Sequence, residues 1–204
     1  MEGFSKDIFA DLNILHDPTN PAMTAKLVKF AVELGYDTVA INHEAFDLME
    51  EVPPPQAEGG GGKRRKKAAR KIVDIPEPFM VRLTDADIAK LSVKGKKFRI
   101  YSRLSIALDD VSLLHKIIRH PSISKYDILA VYPKNEQAFS TVVNKMDADI
   151  IGIDLNSKTR WVSKGKTAQM AVKKGIAFEI SYSTALTDSS VRRDMFANAR
   201  SIVE

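Results

Sequence analysis

Residues 175–199 read GIAFEISYSTALTDSSVRRDMFANA. Ile176, Phe178 and Ile180 alternate with Ala177, Glu179 and Ser181, the period of two of a half-buried strand. Asp188 then stands where an N-cap belongs, ahead of a helix whose apolar residues Val191, Met195, Ala199 and Ile202 recur every three or four places. Strand, short polar loop and amphipathic helix make one βα unit.

The same unit recurs upstream. Asp7–Leu12 is expected as a strand. Asn20 and Pro21 then give an N-cap and a first-turn proline, and a helix follows with Met23, Leu27, Phe30, Ala31 and Leu34 on its apolar face, ending at Gly35. Thr38–Ile41 is a short buried strand. Order resumes at Phe98 with an evenly spaced run to Leu108, interrupted at Ser102. A helix from Asp109 or Asp110 carries Val111, Leu114 and Ile118 on one side. Asp127–Tyr132 is a strand, and Asn135 caps a helix bearing Phe139, Val142, Val143 and Met146. Asp149–Asp154 is a strand, and residues 166–174 are helical up to Gly175.

Six βα units in succession predict an α/β fold with right-handed parallel connections. No glycine-rich phosphate loop follows the first strand, which argues against a dinucleotide-binding sheet. A (β/α)8 barrel of about 250 residues is the alternative, and 204 residues leave the chain about two units short. The expectation is therefore one TIM-like barrel domain over residues 1–204, incomplete at its C-terminus. Such an open barrel would expose strand edges and apolar helix-facing surface.

Between His43 and Lys96 the periodicity dissolves, apart from TDADIAK at 84–90 as a possible helical turn. Pro53-Pro54-Pro55, four glycines at 59–62 and then KRRKKAARK at 63–71 cannot bury enough surface to fold. Residues 50–71 are expected to be a disordered basic insertion after the second strand. Seven of the chain's 31 Lys and Arg residues lie in those last nine positions: Lys63, Arg64, Arg65, Lys66, Lys67, Arg70 and Lys71. The formal net charge of +5 permits nucleic-acid binding without requiring it. A cationic run of this kind gains affinity for RNA by counterion release, resembles a nuclear-localisation signal, or merely solubilises a loop. It has little aromatic interleaving, so base stacking is not implied.

Cysteine is absent, which excludes disulfides and thiolate metal sites and agrees with a reducing compartment. No apolar run reaches the length needed to span a bilayer, and the first residues do not have the pattern of a secretory signal, so no membrane partner is expected.

In barrel geometry, Asp11, Asn13, Asn42, His43, Arg103, Asp154 and Glu179 fall near the C-terminal ends of strands, where catalysis sits in TIM barrels. One reading is a metal-dependent phosphoesterase in which Asp11 and His43 help to activate water. The other is an inert polar network in which Arg103 neutralises Asp11, Asp154 or Glu179. Ligand chemistry favours the network, because the four histidines are scattered and His115 and His120 lie at a helix end. Asp188-Ser189-Ser190 is better explained by helix capping than by a nucleophile. No catalytic residue and no metal ligand is assigned. Arg192 and Arg193 either bind RNA phosphates or an acidic partner, or form a solvated helix face paired with Asp188 or Asp194.

FADLNI, GYDTVAINH, IYSRLSIAL, YDILAVYPKNE, ADIIGIDL and KKGIAFEISY…DSSVRRDMFANA, taken in order, resemble one family: the thirty-kilodalton protein subunit of archaeal and eukaryotic ribonuclease P, which eukaryotes share with RNase MRP. The resemblance spans nearly the whole chain. It departs in the length and composition of the insertion and in the missing last two units. It implies a TIM-like barrel related to the polymerase-and-histidinol-phosphatase hydrolases. Those hydrolases use a His-x-His pair where this chain has Asp11-Leu12-Asn13. It further implies a noncatalytic subunit supporting 5′-leader removal from precursor tRNA, and rRNA processing through RNase MRP. Hydrolysis would belong to the RNA subunit with its bound Mg2+, and the protein itself would bind no cofactor. The implied partners are the ribonuclease P and MRP RNAs, precursor tRNA indirectly, and other subunits including a small ferredoxin-like protein, in the nucleus and nucleolus. A scaffold that binds proteins but not RNA is a third reading.

Overall fold

The structure is a computed structural model and describes residues 9–46, 49–52, 69–72, 74–87, 98–153 and 165–203. Six strands form one wholly parallel sheet in the order β1-β2-β5-β6-β7-β8. They are β1 (Ala10–Leu15), β2 (Thr38–Ala45), β5 (Arg99–Leu108), β6 (Ile128–Pro133), β7 (Ile150–Gly152) and β8 (Ala177–Glu179). Helices α1 (Pro21–Leu34), α2 (Leu114–Ile118), α3 (Glu136–Lys145), α4 (Gly165–Lys173), α5 (Ser183–Thr187) and α6 (Ser189–Val203) alternate with the strands. The sheet curls into an open half-barrel of βα units.

The two faces of each strand follow from its alternation. On β5, Leu104, Ile106 and Leu108 face the helices and pack with Leu114, Ile117, Phe139, Val142 and Val143. Val131, Ile151 and Phe178 join the same layer from β6, β7 and β8. A second cluster under α1 contains Ile14, Val28, Ala31, Val39, Ile41 and Val81. The alternate positions therefore line the concave face: Ala40 and Asn42, Arg103 and Ser105, Ala130 and Tyr132, Ile150 and Gly152, Ala177 and Glu179. Its smallest members leave room for the two largest polar ones.

The capping residues behave as the sequence predicts. The Asn20 side chain accepts the Met23 N–H ahead of Pro21, and Gly35 ends α1 at φ 91°, a left-handed conformation suited to glycine. Asn135 accepts the Ala138 N–H at 2.8 Å, and Asp188 Oδ1 accepts the Ser190 and Val191 N–H groups at 2.7 and 3.3 Å.

Four expectations need correction. The first strand begins three residues later than expected and runs to Leu15. The second runs on to Ala45, so Asn42 and His43 lie inside it; a polar residue does not end a strand when a concave polar face receives it. The buried side of α1 is Thr24, Val28, Ala31 and Val32, whereas Met23, Leu27, Phe30 and Leu34 are exposed. After β5, a 3-10 turn at Val111–Leu113 precedes α2, which buries Leu114 and Ile117 rather than Ile118.

Of the span 50–71, expected to be a disordered insertion, only the two ends are described. β3 (Met49–Val52) and β4 (Ala69–Ile72) pair antiparallel, in a register that sets Glu50 opposite Lys71 and Glu51 opposite Arg70. Residues 53–68 between them lie outside the described residues.

Candidate functional site

Among the described residues the concave face carries one buried ion pair, Arg103 with Glu179, held in a network of hydrogen bonds. Arg103 has no exposed surface although it is the longest side chain there. Its Nε donates to Ser105 Oγ at 3.0 Å. One terminal nitrogen donates to the Leu12 carbonyl at 3.0 Å and to Glu179 Oε1 at 2.7 Å. The other donates to the Tyr132 hydroxyl at 2.9 Å and to Glu179 Oε2 at 2.6 Å. A guanidinium has five N–H groups in a fixed fork, so each one is used. The bidentate arrangement with Glu179 is the strong, planar kind of Arg–carboxylate contact.

Tyr132 closes the network by donating its O–H to Glu179 Oε2 at 2.7 Å. Burial alone would lower the Arg103 pKa, but the Glu179 carboxylate outweighs it and the net direction is up. Burial alone would raise the Glu179 pKa, but the bonds from Arg103 and Tyr132 bring it below the ordinary glutamate value. Burial and the Glu179 charge push the Tyr132 phenol up. Near neutral pH the trio is thus held as guanidinium, carboxylate and neutral phenol. The stability that Glu179 contributes is present above the ordinary glutamate pKa and is lost as pH falls through the lowered one.

Tyr132 sits where it does because Gly152 has no side chain. A Cβ at Gly152 would lie 2.1 Å from Tyr132 Cε1 and 2.5 Å from Cδ1. Gly152→Ala is therefore expected to displace the ring and to cost about 1–3 kcal/mol, the usual penalty of overpacking, as read by urea denaturation. Retention of parental stability would mean that the ring has an alternative seat.

The other residues expected at the strand ends divide into three groups. Asn42 adjoins the network and donates to Asn13 Oδ1 at 2.6 Å. Asp11 turns back on its own strand, where its Oδ1 accepts the Asn13 N–H at 3.0 Å. Asp154 lies outside the described residues. Of the three acidic partners considered for Arg103, Glu179 is the one paired with it.

His43 occupies the opposite face of β2 from Asn42. It lies 6% exposed in an aromatic cluster, with its ring 4.7 Å from that of His16 and 5.6 Å from that of Tyr126. His16 in turn stacks on Phe79 at 4.3 Å and shares a hydrogen bond with Thr24. His43 thus lies within β2 and does not face Arg103. Its Nδ1 is buried with no hydrogen-bond partner. Burial, reinforced by the nearby His16, lowers its pKa from 6.5 to about 4. The native ring stays neutral where the unfolded chain would bind a proton. Stability is therefore expected to fall as pH drops from about 6.5 to 4, by about 3 kcal/mol in all at 1.36 kcal/mol per unit. Comparing urea midpoints of the parent chain and His43→Phe across that range isolates the effect. An identical pH slope in both would contradict this assignment.

Among the described residues no group of three His, Cys, Asp or Glu side chains could hold a metal ion. Arg192 is engaged within the chain: it donates through Nε to the Ala185 carbonyl at 2.8 Å and through a terminal nitrogen to the Leu186 carbonyl at 3.2 Å, capping α5. Arg193 is exposed on the same helix. Lys63, Arg64, Arg65, Lys66 and Lys67 lie outside the described residues, and Arg70 and Lys71 fall in β4. Tyr132 and Ser105 were not anticipated as network members. Ser105 was legible, since a serine two places from Arg103 in an apolar strand shares its face. Tyr132 comes from another strand and carried no local signal.

Comparison with known proteins places this geometry in context. The family model for RNase P subunit p30 matches residues 8–204. The chain is 28% identical over 198 residues to the mouse ribonuclease P protein subunit p30, covering 96% of this chain and 65% of that protein. It is 29% identical over 109 residues to the ribonuclease P/MRP protein subunit RPP1 of Saccharomyces cerevisiae, covering 52% of this chain and 35% of that protein. A chain in a cryo-electron-microscopy structure of archaeal ribonuclease P with mature tRNA shares the fold, with a TM-score of 0.50 at 15% identity. That match covers 95% of this chain and 68% of the archaeal one.

Proposed function

The chain belongs to the RNase P subunit p30 family, and from that premise we propose that it is a noncatalytic protein subunit of ribonuclease P and of RNase MRP. In this role it supports removal of the 5′ leader from precursor tRNA, and rRNA processing through RNase MRP. Hydrolysis is carried out by the RNA subunit with its own Mg2+. The chain's protein partners include the small ferredoxin-like subunit, and the complex acts in the nucleus and nucleolus.

The observation that carries this reading is the saturation of Arg103. A catalytic or phosphate-binding arginine needs a donor to offer, and all of its donors are committed to Ser105, Leu12, Tyr132 and Glu179. The concave end of the sheet is thereby a structural centre, which suits a protein whose chemistry resides elsewhere. A phosphoesterase built on Asp11 and His43 finds no support in the geometry, since His43 faces the helix layer.

RNA contact falls to cations away from this centre. The run Lys63, Arg64, Arg65, Lys66, Lys67, Arg70 and Lys71 supplies non-specific phosphate affinity, and Arg193 adds an exposed guanidinium on α6. The same run serves nuclear import. The test is cleavage of a precursor tRNA in Mg2+ buffer. The purified protein alone is expected to leave it intact, and cleavage is expected only when the RNA subunit is supplied. Metal-dependent cleavage by the protein alone, abolished by Asp11→Ala, would overturn the proposal.

A further inference from the structure

Helices that connect parallel strands run back against them, so their C-terminal ends gather at the N-terminal end of the sheet. Three successive helices place cations there. Lys116 lies in the last turn of α2, Lys145 in that of α3 and Lys173 in that of α4. Arg119 closely follows α2, and Lys174 follows α4. Lys174 ties two of these ends together, donating from Nζ to the Val143 carbonyl at 2.6 Å. Lys116, Arg119, Lys145 and Lys173 are exposed, and among the described residues none of the four is in an ion pair.

The charge of this surface is one-sided. Over residues 114–119, 136–145 and 165–174 the cations are Lys116, Arg119, Lys145, Lys166, Lys173 and Lys174. The one acid in those stretches is Glu136, in the first turn of α3 and so at the other end of the helix. Two acids at the N-terminal end of the sheet are turned onto it. Asp127 accepts the Ser102 N–H and Asp149 accepts the Leu129 N–H, both at 2.8 Å, while Asp147 stays exposed. The opposite end carries exposed Asp17, Glu44 and Asp109 next to the C-terminal ends of β1, β2 and β5, with Lys134 after β6. Cations at helix C-termini also offset the helix dipole. That alone does not account for the pattern, because α1 is longer than α2, α3 or α4 and has no cation in its last turn.

We infer that the surface formed by the ends of α2, α3 and α4 binds the phosphate backbone of an RNA duplex, as a folded contact beside the basic insertion. The inference rests on the reading of the chain as a ribonucleoprotein subunit. Neighbouring helices stand about 10 Å apart, so three helix ends span about 20 Å, over which a duplex presents roughly a dozen phosphate charges. Lysine and arginine on fixed helix ends set the position of such a backbone without choosing its sequence. The exposed large apolar residues on these helices are Ile118 and Val172, and Phe139 is buried, so no ring is offered for a base to stack on. A single strand held by stacking therefore gains less here than a duplex recognised by its shape and phosphates.

The test uses the 204-residue chain with Lys63, Arg64, Arg65, Lys66, Lys67, Arg70 and Lys71 changed to alanine, so that the remaining RNA affinity belongs to the rest of the chain. Filter binding to a blunt RNA duplex of arbitrary sequence is followed over a salt series. Changing Lys116, Arg119, Lys145 and Lys173 together to glutamine is expected to make the slope of log affinity against log salt shallower by about 3 to 4, and to lower affinity at low salt on the order of a hundredfold, at about 0.9 per contact. The charge-keeping set Lys116→Arg, Arg119→Lys, Lys145→Arg and Lys173→Arg is expected to retain both. Circular dichroism checks that the helices survive. If the fourfold variant loses helix, the pairs Lys116→Gln with Arg119→Gln and Lys145→Gln with Lys173→Gln are each expected to give about half of the slope change. An unchanged slope and affinity in the glutamine variants would overturn the inference, and loss of a protein partner instead would assign the surface to an acidic protein. Tighter binding of a single strand than of the duplex would overturn it as well. The subunit reading survives these outcomes as long as the parent chain binds RNA, whereas a parent chain that binds none would remove both.

Discussion

Replacing Arg103 with methionine is expected to cost about 3–5 kcal/mol of folding stability, the usual consequence of removing one partner from a buried ion pair. The substitution keeps most of the side-chain volume, so the loss is electrostatic. It leaves the Glu179 carboxylate with its charge unneutralised and only the Tyr132 hydroxyl to bond it, and it takes the guanidinium donor from the Leu12 carbonyl; buried polar groups that lose partners carry a desolvation penalty. A cost of this size is a large share of the 5–15 kcal/mol that holds a typical domain folded. It should appear as a fall in Tm on the order of 10 °C for a chain of this length. The companion variant Arg103→Met with Glu179→Leu removes both charges and should recover part of the loss. A single-variant cost below about 1 kcal/mol would mean that Glu179 finds another partner or is solvated.

The second large effect is expected on RNA affinity. Changing Lys63, Arg64, Arg65, Lys66, Lys67, Arg70 and Lys71 together to alanine removes the seven cations proposed to contact phosphates. At about 0.7 per contact for single strands, the slope of log affinity against log salt should become shallower by roughly 5. Affinity at low salt should fall by roughly a thousandfold, with little change in which RNA is preferred, because phosphate contacts carry no sequence information. Filter binding across a salt series reads both quantities. An unchanged slope would place the RNA contacts elsewhere, with Arg193 the next cation to test. Arg192 is a poorer candidate, since its guanidinium already holds the end of α5.

The order of elements was legible in the sequence because two kinds of signal agreed at several units. Alternation marked the strands, and Asn20, Asn135 and Asp188 marked the helix starts through bonds that the structure contains. The ion pair was half legible: an arginine inside the apolar run RIYSRLSIAL must be neutralised, but periodicity cannot choose among acids on three other strands. The face of α1 was not legible. Met23-Leu27-Phe30-Leu34 and Thr24-Val28-Ala31-Val32 are both regular helical stripes, and the larger residues made the first look like the core side. The sheet instead takes the stripe of small and β-branched residues, which lets the helix approach closely, and leaves the bulky one exposed. His43 was misplaced for a related reason. Asn42 reads as the end of a strand only if both faces of the sheet are assumed apolar, and the concave face is not.

The proposal that this chain works as part of an RNA enzyme is tested most directly by the RNA that accompanies it. Affinity purification of the full-length protein from its own cells, followed by sequencing of the bound RNA, is expected to recover the RNA subunits of ribonuclease P and RNase MRP far above background. Recovery of the protein free of both RNAs would contradict the account.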